Sequence, residues 1–253
     1  MYRWNNRATE ADTVVDVGCS SQESVAVGGN MMFFFNENGV WVTRGDYPTR
    51  ISRPVQRWID GMAASFYTNV AGHCDGKYYF CSIGDVTLDS GDAYANVVLR
   101  YSLDTHEWAV FSYANEFRVF SQYVTSSAVE FVGGDTTARV MQMNSGLTDN
   151  GTNISFEIES HEMEFGSRGI VKQINDRCMA YGINSVSALV QVRIDAGDWI
   201  TLGTLDSDVK EMPVKQILEG RYFSFRVTGT HSTARFRLQG IEMPSITLLD
   251  YSS

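Results

Sequence analysis

The sequence predicts an all-β protein, and three observations carry that prediction. Helical periodicity is nearly absent from the 253 residues, short apolar or alternating runs are separated by turns rich in Gly, Asn and Asp, and the 12% aromatic content suits rings packed on pleated strands. A longer rhythm refines the class. Apolar strands at residues 31–35, 77–81 and 128–132 recur about 45 to 50 residues apart, the length of one four-stranded propeller blade. The expected architecture is β-propeller-like blades over residues 1–147, followed by a small antiparallel β-sandwich over residues 148–253.

Taken in order, residues 31–35 (MMFFF) and 40–43 (VWVT) flank Asn36-Glu37-Asn38-Gly39, whose Asn-Gly pair predicts a hairpin turn with positive φ angles. Residues 54–62 (PVQRWIDGM) are the one expected helix, because proline suits a first turn and Gly61 ends it. Residues 70–73 and 77–82 flank Cys74-Asp75-Gly76, and 97–102 and 108–112 flank Asp104-Thr105-His106. A fourth pair, 128–132 and 138–143, flanks Gly133-Gly134-Asp135, so four successive antiparallel hairpins are expected. Residues 144–153 (NSGLTDNGTN) form a small-polar turn cluster that marks a domain boundary.

Beyond it lie six strand-like segments: 154–165, 170–181, 188–194, 199–205, 222–229 and 234–241. Phe223, Phe225 and Val227, then Phe236 and Leu238, alternate with Arg226, Arg235 and Arg237, the pattern of a sheet buried on one side.

Composition narrows the function. With 30 acidic and 20 basic residues the net charge is −10, which opposes counterion-release binding to a phosphate backbone. No run approaches the length of a membrane-spanning helix, and the N-terminus has no secretory pattern. Cys19, Cys74, Cys81 and Cys178 are too few and scattered for a disulfide framework, and fit a reducing compartment.

Candidate chemistry is sparse. His73, Cys74 and Cys81 are the nearest thing to a metal cluster, but adjacent strand residues point to opposite faces and cannot easily share one ion. His106 sits at a hairpin tip and reads as a solvated turn residue. Asp46 with Asp60, or Glu157, Glu159, Glu162 and Glu164, offer carboxylate pairs of the glycosidase kind, though solvated strand faces explain them more simply. Asp195-Ala196-Gly197-Asp198-Trp199 is similar to the Asp-box turn of sialidase-like propellers, yet it stands alone and reads better as a hairpin turn. Asn150 and Asn153 open formal glycosylation sequons, a pattern common by chance. Gly28-Gly29 precedes a strand rather than a helix and so makes no phosphate cradle. The expectation is no catalytic site, no cofactor and no metal.

Two stretches carry a resemblance. Gly39-Val40-Trp41-Val42, then Ile51-Ser52-Arg53-Pro54-Val55 with Trp58-Ile59, then residues 96–108 (NVVLRYSLDTHEW), resemble blades of the β-propeller tail-hub or nozzle proteins of short-tailed bacteriophages, the packaged-DNA stabilisation proteins. Residues 148–154 (TDNGTNI), then Phe165-Gly166-Ser167 and Lys172, resemble the segment that joins the last blade to a terminal β domain in such proteins. The resemblance touches about half of the chain and implies a virion structural protein of the tail, made in the host cytoplasm. It implies a homo-oligomeric ring below the portal and adaptor that supports fibres or spikes and lets genomic DNA pass without specific binding. Only about three blades are visible here, where closed propellers use four to eight. The open sheets are therefore expected to need covering, by a flanking segment or by another polypeptide. Two other functions compete with this one: a receptor- or glycan-binding β module and, more weakly, a glycoside hydrolase propeller.

Overall fold

In the computed structural model, which describes residues 2–4, 11–13, 17–143, 145–146, 148–166, 170–182, 186–231 and 236–249, the apolar runs of the sequence are strands. Asn144, Leu147, Ser167 and Arg235, which belong to the expected boundary, the resemblance and the Arg face, lie outside the described residues. Contacts divide the chain into two units, Met1–Ser145 and Gly146–Ser253.

The first unit opens with a short antiparallel pair, β1 (Tyr2–Trp4) and β2 (Ala11–Thr13). Three sheets follow, each an antiparallel meander in chain order, as in propeller blades. The first contains β3 (Ala26–Gly28), β4 (Met31–Asn36), β5 (Gly39–Thr43) and β6 (Thr49–Arg50). After the short helix α1 (Gln56–Asp60) comes the second, with β7 (Ala71–Cys74), β8 (Tyr78–Thr87), β9 (Ala93–Ser102) and β10 (Trp108–Ser112). The third contains β11 (Phe117–Val124), β12 (Val129–Asp135) and β13 (Val140–Gln142). The three strands that rhyme in the sequence are β4, β8 and β12, the second strand of each sheet.

Strand alternation stacks these sheets. From β8, Tyr79, Cys81 and Ile83 enter one core with Phe33, Phe35 and Val40 of the first sheet. Phe80 on the opposite face enters another with Phe117 and Phe120 of the third. Full burial of each such ring contributes about 1.5–3 kcal/mol, so these two layers hold the unit together. A buried polar lock joins the first sheet to the second: Ser21 Oγ donates to Val70 O at 2.6 Å, Tyr79 Oη donates to Ser24 O at 2.9 Å, and Phe35 N–H donates to Ser24 Oγ at 3.0 Å.

All four expected hairpins form, with two differences of detail. The first hairpin has Glu37-Asn38 as its two-residue loop, with Asn36 paired to Gly39. Of the predicted Asn-Gly pair only Gly39 has positive φ, because the Asn36 side chain accepts the Asn38 N–H at 2.9 Å and closes the turn itself. Gly133 and Gly134 lie inside β12 rather than in a turn. A Cβ on Gly133 would meet the Phe117 ring at 2.6 Å and one on Gly134 would meet Val119 at 2.7 Å, so the glycines admit neighbouring side chains. The turn lies beyond, where the Asp135 carboxylate accepts the Thr137 and Arg139 N–H groups.

The second unit is a sandwich. One layer has the order β14 (Thr148–Asp149), β15 (Thr152–Glu159), β22 (Phe223–His231), β18 (Ala188–Ile194), β19 (Ile200–Leu205). Asn150 and Gly151, both at positive φ, form the two-residue turn between β14 and β15. The second layer comprises two three-stranded sheets: β20 (Val209–Pro213), β17 (Arg177–Gly182), β23 (Leu238–Glu242), and β21 (Leu218–Gly220), β16 (Val171–Ile174), β24 (Thr247–Leu249). Val190, Val192, Phe223, Phe225 and Val227 pack against Ile174, Cys178, Ala180 and Met212 between the layers. The expected strands at residues 154–165 and 170–181 are shorter or divided, and the edge strands β20, β21 and β24 are additions.

Candidate functional site

Residues of the first stretch that carries the resemblance meet at one place. Val40 N–H donates to Ser52 Oγ at 3.1 Å, Ile51 N–H donates to Val40 O at 3.0 Å, and Trp108 Nε1 donates to Ile51 O at 3.0 Å. A Cβ on Gly39 would stand 2.2 Å from Ser52 Oγ, so only glycine fits beside the hydroxyl. Trp108 lies against Tyr101 with centroids 5.0 Å apart, and Tyr101 Oη is 2.7 Å from His106 Nδ1. The G-V-W, I-S and Y-to-W motifs are thus a structural junction that ties the first sheet to the second.

The histidine and thiols are separated by the pleat. His73 stacks on Phe131 of the third sheet, centroids 5.3 Å apart, whereas a Cβ on Gly28 of the first sheet would collide with Cys74 Sγ at 2.1 Å. They point to opposite faces of β7. Burial lowers the His73 pKa, partly opposed by Asp75, and burial pushes the Cys81 thiol up to about 12. Among the described residues no group of three His, Cys, Asp or Glu side chains has the arrangement of a metal site.

The acidic candidates serve mostly as turn and strand acceptors. Asp46 Oδ1 accepts Arg44 N–H, and Asp60 Oδ1 accepts Gln56 Nε2 at 2.9 Å. Glu159 pairs with Arg193 at 3.2 Å. Glu162 and Asp195 come together at an open depression of about 460 Å³, also lined by Ala196, Arg221 and Tyr222. There Asp195 Oδ1 already accepts the Arg221 and Tyr222 N–H groups at 2.9 and 2.8 Å, and Asp195 and Ala196 both have positive φ. Asp195 is a turn-former holding β18 to the start of β22. His106 is an exposed hairpin-tip residue at φ +60°.

Several prominent arginines are engaged locally. Arg100 stands over the Tyr78 and Phe111 rings, Arg118 stands over Phe66 and pairs with Glu116, and Arg139 pairs with Asp135 at 2.8 Å.

The feature that sequence reading missed is the outward face of the third sheet. Phe120, Phe131 and Met141 point inward, so their strand neighbours Val119, Tyr123, Val132 and Val140 point out. Val119, Tyr123 and Val140 are 49%, 62% and 75% exposed, apolar groups on a face they share with Ser121, Glu130 and Gln142. A bulge between Phe117 and Val119 hides β11 from a period-2 reading, since it turns both Phe117 and Phe120 inward.

No protein-family model and no curated protein matches the chain. Among solved structures it is similar to exo-beta-1,3-galactanase from Phanerochaete chrysosporium with galactose, at 12% identity over 83% of this chain and 64% of that one, with TM-score 0.21. A variant of the same enzyme with beta-1,3-galactotriose gives 12% identity, the same coverages and TM-score 0.19. This chain therefore spans 64% of that enzyme's length.

Proposed function

We propose that this chain is a virion structural protein from the tail of a short-tailed bacteriophage, a hub or nozzle subunit that assembles with copies of itself into a ring extending the portal channel. The observation that supports it best is the stack of three meander sheets ending on a face where Val119, Tyr123 and Val140 are exposed. The contacts that stack the first sheet on the second and the second on the third have a natural continuation there. A neighbouring copy is the proposed occupant. The junction of Gly39, Ser52 and Trp108 supports the reading further, because the motifs of the first stretch behind the resemblance have a common structural task.

In this role the protein works by geometry and charge. A net charge of −10 per subunit, repeated around a ring, repels phosphates and keeps DNA from adhering as it passes. Portal, adaptor and fibre or spike proteins are the expected neighbours, and no catalytic step is required.

The test is a solution mass with negative-stain imaging of the purified protein, beside the double variant Val119→Glu, Val140→Glu. Closed multimers that fall apart in the variant are expected. A wild-type monomer at all concentrations, or rings indifferent to the two charges, overturns the assembly surface. Rings whose inner wall carries more basic than acidic groups overturn the DNA-repelling mechanism.

A further inference from the structure

The outward face of the five-stranded layer carries a polar row that packing alone does not require. Glu159 of β15 lies directly opposite Arg226 of β22, Arg226 lies opposite Gln191 of β18, and Gln191 lies opposite Thr201 of β19. With neighbouring strands about 4.8 Å apart, the row crosses the sheet for about 14 Å. Its planar groups are held in place: Arg226 Nε and Nη2 both donate to Gln191 Oε1 at 3.1 and 2.8 Å, and Gln191 Nε2 reaches Thr201 Oγ1 at 3.4 Å. Beside the row is Trp199, half-buried, with the Arg226 guanidinium 4.4 Å and the Arg193 guanidinium 4.7 Å from its ring centroid.

From this arrangement we infer a saccharide-binding face, with a neutral oligosaccharide lying across the strands as its ligand. Three features select that chemistry. The exposed part of the Trp199 indole, whose ring two guanidiniums hold in place, offers an apolar surface for the C–H face of a sugar ring at little entropic cost. Alternating carboxylate, guanidinium and carboxamide groups present acceptors and donors side by side, as neighbouring hydroxyls on a ring require. Charge decides between neutral and acidic sugars. Arg193 and Arg226 are matched by Glu159 and by Glu157, two residues earlier on the same face of β15, so the face has no net charge to attract an anion. The inference is independent of ring assembly, since it uses only the second unit.

The experiment is titration calorimetry of the full chain with neutral oligosaccharides of several linkages and with sialylated and uronate-containing ones. Saturable binding of a neutral oligosaccharide with a Kd of about 1 mM or tighter is expected. Trp199→Ala is expected to weaken it at least about tenfold. Because removing Trp199 also exposes two arginines, Thr201→Glu serves as the second variant. It adds bulk and charge at an exposed rim position without deleting a packed group, and is expected to weaken binding to a similar degree with an unchanged circular dichroism spectrum. Absence of neutral-sugar binding in the wild type, binding confined to the acidic sugars, or affinity untouched by Thr201→Glu in a folded protein overturns the inference. Binding lost in a variant that still forms rings separates this site from the assembly surface.

Discussion

At the scale of single residues, burial decides which side chains react and which respond to pH. His73 is wedged against Phe131 with its Nε2 buried and without a hydrogen-bond partner among the described residues. Its folded pKa lies below the ordinary 6.5 because of that burial, with Asp75 opposing. The neutral ring is therefore the one the fold accommodates. Stability is complete above the unfolded value and falls as pH drops through the folded one, when the unfolded chain binds the extra proton. Urea midpoints taken between about pH 8 and about pH 5 are expected to fall more for the wild type than for His73→Phe. Equal slopes would show that His73 does not sense pH. The thiols follow the same logic. Burial pushes Cys81 and Cys178 up to about 12, whereas Cys19 is exposed. Alkylation of the native protein is expected to label Cys19 first and to reach Cys81 and Cys178 only on unfolding, as peptide mass mapping would reveal.

At the scale of elements, single hydrogen bonds fix how sheets and turns meet. Ser52→Ala leaves the buried Val40 N–H without its acceptor and is expected to cost about 1–3 kcal/mol, read as a lower denaturant midpoint with unchanged slope. Trp108→Phe keeps most of the packing but loses the bond to Ile51 O, for about 1 kcal/mol. In the second unit, Asp195→Ala removes the acceptor for two N–H groups and is expected to destabilise by about 1–3 kcal/mol, whereas Asp195→Asn, which keeps one acceptor oxygen, restores most of it. A stability unchanged by Asp195→Ala would remove that residue from the turn. These elements also show how far local sequence reading reaches. Hairpins with strong apolar runs, such as β4–β5 and β9–β10, are legible because alternation and turn residues agree. Edge strands β20 and β21 are not, because one side faces solvent and charged residues such as Lys210, Glu211 and Glu219 interrupt the apolar signal. Strands β8 and β9 run past the expected limits because Gly84, at φ +71°, makes a bulge against the Phe66 ring and lets pairing resume at Val86 and Tyr94.

At the scale of the whole molecule, the chain comprises two units of different design, stacked meanders in residues 1–145 and a two-layer sandwich in residues 146–253. Asn150 and Gly151 belong to the hairpin that begins the second unit, so the exposed Ser145 and Gly146 are the expected first site of limited proteolysis. Two fragments that each keep a cooperative unfolding transition are expected. First cleavage within β22 would contradict the division. The sequence by itself determined the all-β class, the four hairpins, the blade interval and the alternation of the sandwich strands, because each depends on residues close in the chain and on a period of two. Only the tertiary structure decided that Gly39, Ser52 and Trp108 form one junction, that Val119 and Val140 remain uncovered, and that Glu159, Arg226, Gln191 and Thr201 align in a row. The junction and the row join residues distant in sequence, and the exposure of Val119 and Val140 depends on what packs beside the sheet, none of which a local pattern encodes.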